Sequence, residues 1–150
     1  MLETFRPLLE AARGVDLADR EAARRELERR FDPASASARA VDRALADLLA
    51  AGKLAQRGEP PVRYGRVAKA GPETLDFSID VVHMTGPGPR HRHPNGEVNW
   101  CVALSGAPTF DGQGPGWVVL PSGSTHVPTV AGGEMLIVYL LPAGAIEFLA

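Results

Sequence analysis

The chain has a single cysteine, Cys101, so an intramolecular disulfide is impossible, and a reducing compartment, the cytoplasm, is the expected setting. It has no apolar run close to the roughly eighteen residues that a membrane-spanning helix requires. Its first residues, MLETFRPLLEAARG, include acidic groups and no continuous apolar stretch, which does not fit a secretory signal. An excess of one charge is missing as well. The net charge is -2; residues 1–61 hold eleven basic and eleven acidic side chains, and residues 62–150 hold five and seven. Neither part is the basic body of a protein that binds nucleic acid by displacing counterions from phosphates.

What is present is an ordinary globular composition, 45% apolar and 23% charged over 150 residues, enough for one domain with a real core. The chain changes character near residues 58–61, GEPP, which read as a linker. Residues 1–58 form a helical segment rich in Ala, Leu, Arg and Glu. A short helix over 2–12 turns Phe5, Leu8 and Leu9 inward. A charged second helix starts at a cap on Asp16 and stops at Asp32-Pro33, because the residue before proline is pushed out of the helical region. A third helix begins near Ser35 or Ser37. It carries one apolar stripe, Val41, Leu45, Leu48 and Leu49, and ends at Gly52. Such a stripe must be buried, and capping one end of the following domain or building a dimer interface would do so.

From Val62 onward Gly and Pro punctuate short β-prone runs: 62–67, 75–84, 97–104, 116–120 and 134–141. Residues 62–150 therefore read as an antiparallel β-barrel domain, and the fold class as mainly β, a small barrel preceded by two or three short α-helices.

The informative stretch is Arg90-His91-Arg92-His93-Pro94-Asn95-Gly96-Glu97. On a strand His91 and His93 share a face while Arg92 points away. The Pro-Asn-Gly turn folds Glu97 back beside them. Two imidazoles and a carboxylate at one point suit a divalent transition metal with open positions for water or substrate. A second hairpin, Gly116 to His126 through Pro121-Ser122-Gly123, supplies His126 as a fourth ligand. The donor set fits Fe, Mn, Ni, Zn or Co. His83, alone on its strand, reads as an ordinary polar residue. Parity places Asn99 and Cys101 inward after Glu97, Asn99 as a hydrogen-bonding neighbour of the ligands and Cys101 as a small buried residue. Trp100 and Trp117 read as core or interface aromatics.

These segments resemble the two motifs of the cupins, His-x-His-x3-Glu and Gly…Pro-x-Gly-x2-His, and cupins are jelly-roll barrels. Gly86 lies one position nearer the histidines than is usual, and Val130 stands where an asparagine often follows. A narrower resemblance runs from about Tyr64 to Phe148. It is carried by Tyr64-Gly65-Arg66-Val67, Pro72-Glu73-Thr74, the His91–Glu97 stretch, Phe110-Asp111-Gly112, Gly116-Trp117, HVPTVAGG from His126 and LLPAGAIEF ending at Phe148. It is a resemblance to the 4-hydroxylaminobenzoate lyases.

That resemblance implies conversion of 4-hydroxylaminobenzoate and water to protocatechuate and ammonia. It implies a metal held by His91, His93, Glu97 and His126, with Glu97 and His126 at the chemistry. A small aromatic carboxylate substrate needs a cation; Arg66 and Arg90 are the candidates, with Asn99 as a further contact. A homodimer is the expected assembly, with neither nucleic acid nor membrane as partner. Two rival readings remain: another metal-cupin enzyme, such as a dioxygenase acting on a small aromatic or organic acid, and a non-catalytic ligand-sensing cupin module. In the second, the module is joined to a DNA-binding part, residues 35–67 forming a helix and wing-like hairpin with Lys53, Arg57, Arg63 and Arg66 near it.

Overall fold

Helix formers fill the first fifty residues, and three helices result: α1 (Leu2–Ala12), α2 (Arg20–Arg30) and α3 (Ala36–Ala50). The description rests on a computed structural model covering residues 1–149. Phe5, Leu8 and Leu9 of α1 are buried as their spacing predicts. The cap of α2 is Asp19, whose carboxylate accepts from the backbone N–H groups of Glu21 and Ala22. Asp16, the residue expected there, instead accepts from Ala18 N in the turn just before (2.9 Å). Both aspartates satisfy free N–H groups, and only the position of the first helical turn decides between them. Ser35 caps α3 through Ala38 N. The helix ends with Gly52 N–H on the Leu49 carbonyl and Lys53 N–H on the Leu48 carbonyl, at 3.0 Å each. Gly52 takes the left-handed φ of 73° that this termination needs.

Nine strands follow among the described residues: β1 (Arg57–Glu59), β2 (Val62–Ala68), β3 (Phe77–Met84), β4 (His91–His93), β5 (Glu97–Phe110), β6 (Gly116–Leu120), β7 (Ser124–His126), β8 (Val130–Pro142) and β9 (Glu147–Phe148). Residues 58–61, expected as a linker, form the bend of the β1–β2 hairpin, where Glu59 pairs with Val62. The strands build a six-stranded sheet in the order β1-β2-β3-β8-β5-β6 and a three-stranded sheet in the order β7-β4-β9. Every pairing is antiparallel. The fold is thus mainly β with three leading helices, a cupin-type sandwich in which the two sheets do not close into one hydrogen-bonded barrel. Strands β5 and β8 outrun the expected 97–104 and 134–141, because register shifts near Ala103–Ser105 and Gly106–Thr109 absorb residues that the sequence shows only as turn formers.

Strand alternation splits the core in two. The outward residues of the large sheet, including Ile79, Val81, Val98, Trp100, Trp117, Val119 and Leu136, join Phe5, Leu8, Leu27 and Leu45 of the helices in one apolar cluster. The helices therefore cover a sheet face; they do not cap a barrel end. Two indoles fasten this contact. Trp100 Nε1 donates to Asp42 of α3 (2.8 Å), and Trp117 Nε1 donates to the carbonyl of Phe31 at the end of α2 (2.9 Å). Burial of the Asp42 carboxyl raises its pKa, and the Trp100 bond opposes that rise. A Trp117→Ala variant, which opens a cavity and orphans the Phe31 carbonyl, is expected to lose about 3–5 kcal/mol of stability. Urea unfolding followed by circular dichroism would read this loss. The inward residues form a smaller cluster, with Val82, Met84, Cys101, Phe110, Val118, Ile137 and Tyr139, facing the three-stranded sheet.

Candidate metal centre

The three-residue strand β4 is the centre of the small sheet. His91 and His93 are buried on one of its faces, and Arg92 points the other way, 3.6 Å from Glu147. His91 is directly opposite His126 on β7 and opposite Phe148 on β9. The turn after β4 carries Gly96 at φ 81°, and a Cβ there would press on the Leu120 carbonyl and on Leu17. Gly96 N and Gly123 N both donate to the His93 carbonyl (3.2 and 2.7 Å), which locks the β4–β5 and β6–β7 turns together. Glu97 thereby begins β5 directly beneath the histidines.

The donor atoms of His91, His93, Glu97 and His126 all lie within 4.8 Å of one another. His126 Nε2 is 2.8 Å from His91 Nε2 and 3.0 Å from His93 Nε2, and His93 Nε2 is 2.6 Å from Glu97 Oε2. Two of the tautomers are fixed by the far side of each ring. His91 Nδ1 donates to the Pro89 carbonyl (3.0 Å), and His126 Nδ1 donates to the Asp111 carboxylate (2.5 Å). A carbonyl and a carboxylate only accept, so both Nε2 atoms present lone pairs to each other.

Glu97 has no exposed surface, and its Oε2 meets only the buried ring of His93 at hydrogen-bond distance. Imidazole lone pairs that face one another beside a buried carboxyl are stabilised by a cation between them. Metal–imidazole bonds of about 2.1 Å meeting at right angles separate two nitrogens by about 3.0 Å, so the residues fit a divalent transition ion.

Burial pushes Glu97 up to about 8, against the pull of His126. Burial, helped by the neighbouring rings, lowers His91 and His93 to about 4. At neutral pH His91 and His93 are therefore uncharged and ready to ligate. Cys101, inward on β5, is buried with its thiol pushed well above its ordinary value, which leaves it no nucleophile. His83 pairs with Glu134 (2.8 Å) and is not part of the cluster.

Other sequence candidates fall at different distances. Asn99 is inward and fully buried beside Glu97, its amide N and O both without a partner. Arg90 is exposed, immediately before His91, and its carbonyl accepts from Leu149 N (3.0 Å). Arg66 is not brought to the histidines. It shares a row with Asp80, Tyr139 and Asn99, three strands away from β5, or about 14 Å at the usual strand spacing. Its guanidinium is held by both oxygens of Asp80 (3.0 and 3.1 Å).

Sequence reasoning gave no role to Asp111 or Phe148. Asp111 stands in the turn after β5 and reaches His126 across fifteen positions of the chain. Phe148, 68% exposed, sets its ring edge-on to His91 at a centroid distance of 5.8 Å. The Phe-Asp-Gly turn and the C-terminal motif marked both segments, but only strand pairing shows what they touch.

The sequence model of a family described as 4-hydroxylaminobenzoate lyase matches residues 9–148. A 4-hydroxylaminobenzoate lyase of Pseudomonas putida is 33% identical over 105 residues, 59% of this chain and 60% of that protein. One from Nocardioides sp. (strain LMS-CY) is 35% identical over 97 residues, 59% of this chain and 57% of that protein. The match thus spans about three fifths of each relative. Among solved structures, an RmlC-like cupin protein from Ralstonia eutropha JMP134 aligns with a TM-score of 0.45 at 15% identity, covering 61% of this chain and 62% of that one. Since the family's model takes in all but the first eight and last two residues, the chain belongs to the 4-hydroxylaminobenzoate lyase family.

Proposed function

We propose that this protein is a metal-dependent lyase that converts 4-hydroxylaminobenzoate, or a close relative, and water to protocatechuate and ammonia. The observation that carries the reading is the convergence of His91, His93, Glu97 and His126, in a chain of this family, on a point where two imidazole lone pairs and a buried carboxyl could together hold a metal ion. The reaction is redox-neutral: the N–O bond that breaks takes up the electrons that the ring carbon gives up, so no oxidant is needed. A divalent ion held by the four residues would supply Lewis acidity towards the hydroxylamino oxygen and acidify a water.

The protein's own groups do the rest. Glu97 has two oxygens, one for the ion and one to hold or pass a proton at the departing oxygen. The unpartnered Asn99 amide offers a donor and an acceptor to Glu97 or to the substrate. The approach is from the side of His126, the most open ligand at 13% side-chain exposure, with Phe148 at the rim as a flat apolar surface for an aromatic ring. Arg90 supports the substrate carboxylate better than Arg66, whose charge Asp80 already engages. Arg90→Ala is expected to raise KM about tenfold or more with kcat little changed, because a charge-assisted bond is worth about 1.5–3 kcal/mol. An unaltered KM would remove Arg90 from the site.

The deciding experiment is an anaerobic assay of the metal-loaded protein on 4-hydroxylaminobenzoate, following protocatechuate and ammonia. Equimolar products without oxygen establish the lyase. No product, or product only when oxygen is consumed, overturns it in favour of another metal-cupin reaction.

A further inference from the structure

The geometry points to Asp111 as a positioning residue that fixes the tautomer of His126 and so prepares it as a ligand. The proposal rests on the metal reading of the four-residue cluster. Asp111 sits at the tip of the β5–β6 connection at φ 48°, a conformation that Asp tolerates better than most residues. Its placement is over-determined. The bridge between Phe110 and Gln113 closes the turn with bonds of 2.7 and 2.9 Å, and Asp111 N donates to the Thr129 carbonyl (2.9 Å). In return Asp111 Oδ1 accepts from Thr129 N (2.8 Å). That two-way clamp joins the turn to the segment just after His126 and leaves Oδ2 aimed at His126 Nδ1 (2.5 Å).

The consequence follows from donor counting. An ionised carboxylate has no proton to give, so Nδ1 must carry the hydrogen, and in the neutral ring Nε2 then faces His91 and His93 with a lone pair. A free imidazole divides itself between two tautomers, and only one can ligate through Nε2. Asp111 removes the wrong one and holds the ring plane against rotation. A carboxylate behind a ligating imidazole also raises its basicity, and losing such a partner typically costs about 10–100-fold in metal affinity.

Asp111→Asn separates this role from that of the clamp. The amide is isosteric and can still accept from Thr129 N through its oxygen. It then presents an N–H₂ group to His126 Nδ1, which favours the tautomer with hydrogen on Nε2. The test has two readouts on the full chain: 15N chemical shifts of the His126 ring in the metal-free protein, and the Kd for Mn or Co by chelator competition. The expected result is a wild-type ring protonated at Nδ1, a shift towards Nε2–H in Asp111→Asn, and a 10–100-fold weaker Kd with an unchanged melting temperature. Asp111→Ala, which loses both bonds, should also bind weakly. Asp111→Asn binding metal as tightly as wild type, or a ring unchanged in its tautomer, overturns the role. Failure of the wild type itself to bind metal would instead sink the reading of the cluster.

Discussion

Replacing His91 and His126 together with alanine is expected to abolish both metal retention and product formation while leaving the protein folded. Loss of a partner behind a ligand already costs about 10–100-fold in affinity, so removal of two ligands should exceed about 10³-fold. The fold should survive for a physical reason. With Glu97 raised to about 8, its carboxyl is neutral at pH 7, so a charge is not stranded in the interior when the ion is gone. The outer cluster that binds helices to sheet contains neither histidine. Elemental analysis of the purified variant, chelator competition and far-ultraviolet circular dichroism would read the three quantities separately. Stoichiometric metal in the double variant would refute the site.

The second large effect is the pH dependence of metal binding. Glu97 must lose its proton to ligate, whereas His91 and His93, at about 4, are already neutral across the physiological range. Affinity should therefore rise about tenfold per pH unit from pH 5 and level off above about 8, on the order of 1000-fold in all. Near pH 7 about one proton should leave on binding, which calorimetry in two buffers of different ionisation enthalpy measures directly. Glu97→Gln should bind more weakly and flatten the slope. A slope already flat in the wild type between pH 6 and 8 would mean that Glu97 is ionised before the metal arrives.

Linkage gives the metal-free protein opposite trends from the same groups. Glu97 is raised in the folded state, so its contribution to stability is present below its ordinary value of 4.5 and is lost as pH rises through about 8. His91 and His93 are lowered, so theirs is present above 6.5 and is lost as pH falls through about 4. Metal should relieve the alkaline loss by stabilising the ionised carboxyl.

Much of the site is legible without coordinates because it depends on local rules. Strand alternation places His91 with His93 and sends Arg92 to the opposite face, where it meets Glu147. The Pro94-Asn95-Gly96 turn and the left-handed glycine at its end deliver Glu97. Helix caps and the apolar stripe of α3 follow the same short-range logic, although Asp16 and Asp19 compete for one cap within three residues. The choice between Arg66 and Arg90 was of another kind. It turned on which strand lies beside β2, and β3 brought Asp80 to Arg66.

The candidate ligand set, the mainly β class with leading helices and the family were all legible in the amino-acid sequence, since each rests on spacing over a dozen residues or fewer, or on motif identity. Where the helices go, that Asp80 engages Arg66, and that Asp111 stands behind His126 emerge only from contacts between distant segments. Those outcomes depend on strand order and on pairs brought together across long stretches of chain: Trp100 with Asp42, Trp117 with Phe31, and His91 with Phe148. Such contacts form because apolar faces and hydrogen-bonding groups must find partners somewhere, and the sequence states that need without naming the partner.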